Sequence, residues 1–395
     1  MEVTDIQYKK SEIGVIPVDW EVKQLSTIGK FTKGQGIRKE EATIGEIPCI
    51  RYGELYTSHN DYIKEYFSFI SKETAKTARR LKPGDILFAG SGETKEEIGK
   101  CAAFIDNIEA YAGGDIVILS PVDVSPVFLG YLLNAQKIQK QKASKGQGDA
   151  IVHISANQLG SIQIPLPPTK SEQTAIATAL SDTDALIENL EKLIAKKRNI
   201  KQGVMQELLT GRKRLAGFNG EWMKIKLGDI CDIRKGQLIT EKTAAGGEFP
   251  VIAGGINPSY FHNRPNRGKK TITISASGAN AGYVSFHRNP IFASDCSTIE
   301  EKGTFNIVYI FFLLQLFQKK IFKLQTGGAQ PHVYPEHLKP LELVFPQEVT
   351  EQDAIANILI DIDEELSGLE KQMNKYQLIK QGMMQTLLTG KIRLV

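Results

Sequence analysis

The sequence has few of the residues that mark a secreted, membrane-spanning or metal-dependent protein. Its four cysteines, Cys49, Cys101, Cys231 and Cys296, form no CxxC pair, so neither a disulfide framework nor a zinc ribbon is indicated. The longest apolar run, residues 307–317, is shorter than the roughly 18 residues that span a bilayer. The N-terminus lacks the apolar core of a signal peptide. We therefore expect a cytoplasmic protein with no membrane partner and no bound metal.

Charge of one sign is also scarce. The formal net charge of +4 is too small to indicate a nucleic-acid partner by itself. By segment, residues 1–168 sum to about −1, 169–216 to about +3, 217–348 to about +4 and 349–395 to about −2. A nucleic-acid-binding surface must therefore come from local clustering of basic residues, and the opposite charges of 169–216 and 349–395 favour their pairing.

One stretch occurs twice, once in the middle of the chain and once at its end. Residues 172–216 and 351–395 align without a gap at an offset of 179 and match at 24 of 45 positions. A repeat of this period is far longer than any solenoid unit, so it predicts two large domains, each followed by the same helix. The predicted segments of this tandem duplication are 1–168, 169–216, 217–348 and 349–395.

The two large segments also align with each other, with loop insertions between the shared elements. The aligned positions include Trp20 with Trp222, Lys33-Gly34-Gln35 with Lys235-Gly236-Gln237, Ser91 with Ser277, Asp115 with Asp295, and His153 with His332. Short strand-like runs bounded by turn residues lie at 84–90, 115–119, 161–166, 270–277 and part of 307–311, and 128–141 has helical spacing. Each large segment is therefore predicted to be a mixed α/β unit whose strand order the pattern does not give.

Each repeated segment has the pattern of a long amphipathic helix. Apolar residues alternate at steps of four and three, which is typical of a coiled-coil seam. The seam positions are Ile176, Leu180, Ile187, Leu190 and Ile194 in the first copy, and Ile355, Leu359, Ile362, Leu366, Leu369, Met373 and Tyr376 in the second. Thr183 and Lys197 weaken the first seam, so we expect the helices to pair with each other, antiparallel and pseudo-twofold related. The alternative is that each helix packs only on its own domain.

This order of motifs resembles that of the specificity subunits of type I restriction-modification systems. The resemblance rests on an Asp-Trp or Glu-Trp domain start, a strand ending in PLP or VFP, a long helix and the motif KQG-(V/M)-M-Q-x-L-L-T-G-x-x-R-L, all occurring twice. It covers essentially the whole chain. It implies an α/β (α+β) fold of two tandem target-recognition domains, 1–168 and 217–348, separated by two long helices that form an antiparallel coiled coil.

The same resemblance implies a function without catalysis in this chain. Each recognition domain would bind one half of an asymmetric, interrupted site in double-stranded DNA, and the helices would fix the spacing of the halves. Two methyltransferase subunits would dock on the helices, and restriction subunits would join them. S-adenosylmethionine, ATP and Mg would be bound by those partners, and this chain would carry no cofactor.

Candidate DNA contacts lie in loops that the two domains share and in the basic loop 257–270. Cations can engage phosphates, whereas Arg, Asn and Gln can bind base edges. The candidates in the first domain are Lys33, Gln35, Arg38, Arg51, Tyr52, Ser91, Thr94, Lys95, Gln147 and His153. Those in the second are Lys235, Gln237, Asn257, Tyr260, His262, Arg264, Arg267, Lys269, Ser277, Asn280, Tyr283, Gln330 and His332. The alternatives are a solvated basic loop, ordinary tight turns and histidines that are satisfied within the core.

Two other functions remain as alternatives: a self-contained DNA-modifying enzyme, and a coiled-coil adaptor that does not bind DNA. Residues 257–260, Asn-Pro-Ser-Tyr, are similar to an amino-methyltransferase motif but lack its second proline and an upstream glycine-rich cofactor loop. Asp85 with Glu93-Thr94-Lys95 is similar to a nuclease core, yet the second domain has Ala279 in place of Glu93. Both departures argue against catalysis by this chain.

Overall fold

The computed structural model describes residues 7–43, 45–148 and 150–394, and it divides into two compact units. Unit 1 comprises Met1–Asn189 with Met373–Val395, and unit 2 comprises Leu190–Gln372. Each unit therefore contains one of the aligned segments and part of both repeats. Asp149 and residues 1–6, which are half of the N-terminal stretch considered for a signal peptide, lie outside the described residues. No described helix is both long and apolar enough to cross a membrane.

Unit 1 begins with a hairpin and continues as strands interspersed with short helices. Its strands are β1 (Tyr8–Ser11), β2 (Gly14–Pro17), β3 (Glu21–Gln24), β4 (Gly29–Lys33), β5 (Ile47–Ile50), β6 (Ser68–Ile70), β7 (Arg79–Arg80), β8 (Ile86–Ala89), β9 (Ser91–Gly92), β10 (Cys101–Ala103), β11 (Tyr111–Ala112), β12 (Ile116–Pro121), β13 (Val152–His153) and β14 (Gln163–Leu166). Its helices are α1 (Leu25–Ile28), α2 (Tyr52–Thr57), α3 (Lys72–Ala75), α4 (Pro126–Asn134), α5 (Gln136–Lys145), α6 (Ala156–Gly160) and the first half of α7 (Lys170–Leu208).

Unit 2 repeats this plan with fewer elements. Its strands are β15 (Trp222–Lys226), β16 (Cys231–Lys235), β17 (Phe249–Ile252), β18 (Tyr260–His262), β19 (Thr271–Ser275), β20 (Val284–His287), β21 (Phe292–Ala293), β22 (Cys296–Glu301) and β23 (Glu342–Pro346). Its helices are α8 (Leu227–Ile230), α9 (Ile307–Leu316), α10 (Gln318–Phe322), α11 (Pro335–Leu338) and the first part of α12 (Val349–Leu387), whose last part belongs to unit 1.

The two units have the same sheet topology. The main antiparallel sheet has the order β10-β8-β12-β4 in unit 1 and β20-β19-β22-β16 in unit 2. A second sheet contains β6-β5-β11-β7 in unit 1 and β18-β17-β21 in unit 2. The pairs β5-β11 and β17-β21 are parallel. The ribbons β3-β14 and β15-β23 also correspond. The predicted mixed α/β duplication is therefore confirmed.

Burial on both faces explains the apolar runs of the central strands. Along β8, Ile86 and Phe88 belong to the core beneath α4, whereas Leu87 and Ala89 belong to the core against the second sheet. Successive side chains of a strand point to opposite faces, so a strand covered on both sides is apolar at every position. The predicted strands at 84–90, 115–119, 161–166 and 270–277 all occur.

The prediction that 307–311 is partly a strand is wrong, because this run forms the start of α9. The Asn306 side chain accepts hydrogen bonds from the Val308 and Tyr309 amides at 2.8 and 2.9 Å, which caps the helix. The helix is apolar on nearly all sides because it lies inside the core of unit 2. Helical spacing over 128–141 corresponds to two helices, α4 and α5, separated at Ala135, whose backbone is extended.

Within each unit, α7 and α12 pair antiparallel, as predicted. In unit 2, Lys197 contacts Glu365 and Lys201 contacts Asp363, both at 2.6 Å. Residue numbers therefore increase along α7 as they decrease along α12. In unit 1, the Thr183 hydroxyl contacts the Met383 sulfur at 3.5 Å. The two polar seam positions thus have partners on the other helix. All the predicted seam residues are buried or half-buried, and both helices continue through Gly203 and Gly382.

The motif that follows each helix is explained by one arginine per unit. In unit 1, Arg393 donates to Glu172 and to both carboxylate oxygens of Asp19 at 2.8 and 2.9 Å, with its guanidinium 5.7 Å from the Trp20 ring centroid. The hydrogen bonds to Glu172 raise the pKa of Arg393 above its usual range. Gly390 precedes it with a φ of +70°, and a Cβ there would lie 2.5 Å from Pro17.

Unit 2 forms the same glutamate and tryptophan contacts at the equivalent positions, and its arginine donates to the Gly220 carbonyl at 3.1 Å where Arg393 donates to Asp19. Arg214 donates to both oxygens of Glu351 at 2.6 and 2.7 Å, and its guanidinium lies 5.6 Å from the Trp222 ring centroid. Gly211 has the same φ of +70° and packs on that tryptophan. The identical glutamates, glycines and arginines of the repeat therefore form one joint in each unit.

Two further identities of the repeat hold the helices in place. One joins each helix to the mixed α/β part of its unit, and the other joins the two helices to each other. Gln173 donates to the Pro167 carbonyl at 3.0 Å, and Gln352 donates to the Pro346 carbonyl at 2.9 Å. Lys380 pairs with Asp184 at 2.6 Å in unit 1, as Lys201 does with Asp363 in unit 2. The glutamines lie near the first residues of α7 and α12, and the lysine–aspartate pairs join the two helices. The register of the helical pair therefore depends on these residues.

Arg393→Met is expected to destabilise unit 1, because the Glu172 side chain is only 1% exposed and would lose the cation that compensates its burial. The expected loss in the free energy of unfolding is about 2 to 4 kcal/mol. Urea unfolding followed by circular dichroism would show it as an earlier transition of one unit, and adding Glu172→Gln should restore part of it. An equal effect of the exposed control Lys391→Met would contradict this.

Lys142 makes the stability of unit 1 depend on pH. Its side chain is fully buried, donates to the Gly99 carbonyl at 2.6 Å, and has a pKa that burial lowers to about 8. Between about pH 8 and the usual lysine value of 10.5, the unfolded chain binds more protons than the folded chain, so this residue makes stability rise with pH.

Lys142→Met should remove that rise, because no ionisable group remains at the position. The buried thiols of Cys49 and Cys101, whose pKa burial raises to about 12, act in the opposite sense, so the difference from the unsubstituted chain isolates the lysine. Thermal unfolding from pH 7 to 10.5 would measure it. Exposed Lys140→Met should keep the original profile, and parallel profiles for both variants would refute the assignment.

Candidate nucleic-acid interface

Three loops of unit 1 are held together by main-chain hydrogen bonds around the start of β12. The Gly34 amide donates to the Ile116 carbonyl at 2.9 Å, and the Gly90 amide donates to the Asp115 carbonyl at 2.7 Å. The Ile154 amide donates in turn to the Gly90 carbonyl at 2.9 Å. The Lys-Gly-Gln loop, the Ser-Gly loop and the histidine loop therefore converge at one edge of the unit.

Unit 2 contains the same three bonds. The Gly236 amide donates to the Cys296 carbonyl at 2.8 Å, the Ala276 amide to the Asp295 carbonyl at 3.2 Å, and the Val333 amide to the Ala276 carbonyl at 3.0 Å. The Ser-Gly and histidine loops also pair directly, through β9 and β13 in unit 1 and through the Ser277–His332 bridge in unit 2. The loops that the sequence alignment matched thus form one framework, which we call the loop edge.

Glycine is required where the Lys-Gly-Gln loop meets the sheet. A Cβ on Gly34 would lie 1.9 Å from the Gly113 carbonyl oxygen, and one on Gly236 would lie 2.1 Å from that of Ser294. Backbone atoms cannot move aside as a flexible side chain can, so any larger residue would displace the loop. This is why the glycine of Lys-Gly-Gln recurs in both domains.

In unit 1 a serine hydroxyl at the loop edge orients a histidine. Ser91 Oγ and His153 Nδ1 are 2.9 Å apart, and the imidazole is exposed. The Tyr56 hydroxyl donates to the Ser91 carbonyl at 3.0 Å, and burial raises the pKa of this phenol to about 12, so it remains a donor. The Tyr56 hydroxyl therefore holds the Ser-Gly turn in place.

In unit 2 the matched serine has a different partner. Ser277 Oγ donates to Asp295 Oδ2, whereas the ring of His332 stacks on Tyr334 with centroids 5.6 Å apart and an interplanar angle of 6°. Asp115, the residue of unit 1 that matches Asp295, lies 3.9 Å from Lys33 Nζ in an exposed ion pair. The frameworks agree, but the side chains they present do not.

Most of the predicted contact residues have accessible side chains. Those exposed are Lys33, Gln35, Arg38, Tyr52, Thr94, Lys95, Gln147, His153, Lys235, Gln237, Asn257, Arg264, Lys269 and Gln330, and those half-buried are Arg51, Tyr260, Asn280, Tyr283, Ser277 and His332. Ser91 is buried. The structure brings the Lys33–Gln35, Ser91–Lys95 and Gln147–His153 groups together, as it does their counterparts in unit 2.

Two residues of the basic loop have internal roles. His262 is 8% exposed, stacks on Phe292, and accepts from the Arg264 amide through Nδ1 at 3.1 Å. The Arg267 side chain, 12% exposed, donates to Thr298 Oγ1, the Asn266 carbonyl and the Lys235 carbonyl at 2.8 to 3.0 Å. These contacts hold the loop in place and leave Arg264, Lys269 and Lys270 as its exposed cations.

Sequence reasoning missed other groups beside the loop edge. The Gln35 amide donates to the Thr77 carbonyl at 3.2 Å, which brings the Arg79-Arg80 pair of β7 close to the Lys-Gly-Gln loop. Asp295 matches Asp115 in the sequence, and the sequence pattern does not mark it as a DNA contact. Its bond to the Ser277 hydroxyl distinguishes it from Asp115, which lies beside Lys33.

The nuclease-like residues do not form an active site. Asp85 is 4% exposed, and its carboxylate accepts from the Lys82 amide at 2.8 Å and from the Ser120 hydroxyl at 2.6 Å. Glu93 and Lys95 lie on the exposed Ser-Gly loop. Within the described ranges, no three His, Cys, Asp or Glu side chains are arranged to hold a metal ion.

Comparisons with known proteins agree with this architecture. The chain is similar to a putative type I restriction enzyme MjaX specificity subunit of Methanocaldococcus jannaschii, at 28% identity over 98% of this chain and 96% of that relative. It is also similar to the MjaVIII specificity subunit of the same organism, at 24% identity over 96% of this chain and 94% of the relative.

Solved structures show the same fold. A crystal structure of the type I restriction-modification S subunit from M. genitalium matches with a TM-score of 0.70 and 19% identity, covering 98% of both chains. A chain from a structural study of type I system assembly matches with a TM-score of 0.55 and 16% identity over 95% of this chain and 99% of that chain. A family model described as the type I restriction modification DNA specificity domain matches residues 17–197 and 219–380. The chain therefore belongs to the type I restriction-modification DNA specificity family and carries two copies of its specificity domain.

Proposed function

We propose that the domains 1–168 and 217–348 each bind one half of an interrupted, asymmetric site in double-stranded DNA through their loop edges. The observation that carries the proposal is the loop edge itself. Its three main-chain hydrogen bonds recur in both units, while the side chains that it presents differ. A shared framework is suited to docking two domains on DNA in the same manner, and different side chains are suited to different base sequences.

The groups beside each loop edge match the two classes of DNA contact. Exposed cations such as Lys33, Lys235, Arg264 and Lys269 can neutralise phosphates. Exposed amides and imidazoles can bind base edges. The Ser-Gly loop of unit 1 is different, because three glutamates, at positions 93, 96 and 97, surround Lys95. That loop is therefore suited to base contact more than to phosphate contact.

Catalysis is assigned to partner subunits. The first relatives are named as specificity subunits, and one structural match comes from a study of how a type I system assembles. We propose that two methyltransferase subunits, with S-adenosylmethionine, and restriction subunits, with ATP and Mg, assemble on this chain. The chain would supply DNA-sequence recognition and a docking platform.

The docking platform is proposed to include an apolar stripe on α7. Leu193 and Ile200, both in unit 2, lie seven residues apart on α7 and are 39% and 42% exposed. A seven-residue step keeps side chains on one face of a helix that pairs with another helix. Exposed apolar rows on a helix indicate an interaction surface.

Gly236→Ala should abolish base preference in one half-site only, because the new methyl group collides with the Ser294 carbonyl and displaces the Lys-Gly-Gln loop of unit 2. The measurement is selection of bound sequences from a random double-stranded DNA library by the full-length chain with the host's methyltransferase subunit. The unsubstituted chain should enrich an interrupted site and bind it more weakly as salt increases. Failure to enrich any site would reject DNA recognition.

Gly34→Ala provides the reciprocal variant, since its methyl group collides with the Gly113 carbonyl of unit 1. It should abolish preference in the other half-site. Gly255→Ala is the matched control, because its methyl group would meet only the Asn257 carbonyl oxygen at an ordinary 3.5 Å. Loss of preference in both half-sites from either substitution would contradict the division between the two domains.

Leu193→Glu should weaken association with the methyltransferase subunit by tenfold or more, because it places a charge in the proposed apolar contact. Analytical ultracentrifugation of the mixed subunits would measure the association. Lys192→Glu, at the adjacent exposed position, is the control for added negative charge. Unchanged association of the Leu193 variant would exclude this stripe as the docking surface.

A further inference from the structure

The matched serines Ser91 and Ser277 orient hydrogen-bonding groups of opposite kind. In unit 1 the serine partner is an imidazole, and in unit 2 it is a carboxylate. We infer that these serines fix the specificity-determining side chains, so that His153 donates to a base acceptor in one half-site and Asp295 accepts from a base amino group in the other. The inference rests on the proposed function and adds to it the chemistry of one base contact in each half-site.

The donor character of His153 follows from the burial of Ser91. Ser91 is 6% exposed, and His153 Nδ1, 2.9 Å from its hydroxyl, is the single hydrogen-bond partner of that hydroxyl among the described residues. A buried hydroxyl needs an acceptor for its proton, so we assign the acceptor role to Nδ1 and the ring N–H to Nε2. The exposed side of the ring therefore presents an N–H group.

An N–H group at this place selects bases by their acceptors. In the major groove, guanine offers N7 and O6, adenine offers N7 and thymine offers O4, whereas the cytosine edge offers a donor. His153 should therefore disfavour cytosine at the base that it contacts. Because the serine fixes the ring orientation, the preference depends on Ser91 as well as on His153.

The acceptor character of Asp295 follows from its charge. An ionised carboxylate has no proton to donate, and the phosphates of DNA repel it. One oxygen, Oδ2, accepts from Ser277, and within the described residues Oδ1 makes no hydrogen bond. The remaining partner on DNA is an amino group, which in the major groove means N4 of cytosine or N6 of adenine.

The matched residues in the opposite units lack these arrangements. The Asp115 carboxylate lies beside Lys33 instead of a serine, and the His332 ring stacks on Tyr334 instead of bonding to Ser277. Each unit thus retains the Ser, Asp and His positions but couples its serine to a different one. Asp115 supplies a matched control for Asp295 at the equivalent place in the fold.

Selection from a random double-stranded DNA library, with the full-length chain and the host's methyltransferase subunit, tests the inference. Asp295→Asn keeps the shape of the side chain but introduces donor atoms. It should lower the preference for the amino-bearing base at one position of one half-site by about tenfold or more, within the usual range for a base contact. Ser277→Ala, which keeps the carboxylate, should weaken the same preference by a smaller factor.

For His153, substitution by glutamine or by asparagine distinguishes the roles of the two ring nitrogens. His153→Gln can place an N–H near the position of Nε2 and should retain the preference, whereas His153→Asn reaches only the position of Nδ1 and should lose it about tenfold. Asp115→Asn should leave every base preference unchanged, because that carboxylate pairs with Lys33 and not with a serine. Thermal unfolding of each variant shows whether it is folded. If a variant is unfolded, the serine substitution in the same unit, Ser91→Ala or Ser277→Ala, replaces it in the test.

The outcomes separate the inference from the proposed function. If the unsubstituted chain enriches an interrupted site and the predicted positions change, both stand. If that site is enriched but Asp295→Asn and His153→Asn weaken binding to all sequences equally, the two residues have only general roles and the inference fails. Enrichment of no site by the unsubstituted chain would reject the proposed function itself.

Discussion

A buried glutamate on one long helix, held by an arginine that follows the end of the other, is the interaction on which each unit depends. Glu172 and Glu351 are almost fully buried, and Arg393 or Arg214 beside each carboxylate compensates the cost of its burial. Each arginine also covers the tryptophan that opens its mixed α/β domain. One side chain thus joins both helices to the domain and determines how the three meet.

This joint explains why the repeat keeps particular residues. The identities that survive between 172–216 and 351–395 include the glutamate, glutamine, aspartate, lysine, glycine and arginine that bond across the helical pair or to the adjacent domain. In unit 1, Lys380 also lies 3.6 Å from Asp61, a carboxyl whose pKa is raised by burial.

The sequence allowed the duplication, the paired helices and the three matched loops to be predicted, because each depends on local spacing or on identity between the copies. Strand order could not be predicted, because it depends on contacts between segments that are distant in the sequence. Both copies share these contacts, so comparing the copies does not reveal them. The helix at 307–316 was partly misassigned because a fully buried helix and a buried strand have the same apolar composition. Arg267 resembled a DNA contact in the sequence, and only the positions of three acceptors show that it stabilises its own loop.

The loop edge is held by main-chain groups and by glycines that no side chain can replace, whereas its exposed side chains contribute little to that framework. Substitution of Gln237, whose side chain makes no hydrogen bond to another described residue, therefore changes the exposed surface of the loop edge without removing a bond that maintains the fold. Under the proposed function, stability and DNA specificity are then separable traits. A lineage that binds DNA through this edge can change its target one exposed residue at a time while each intermediate remains folded.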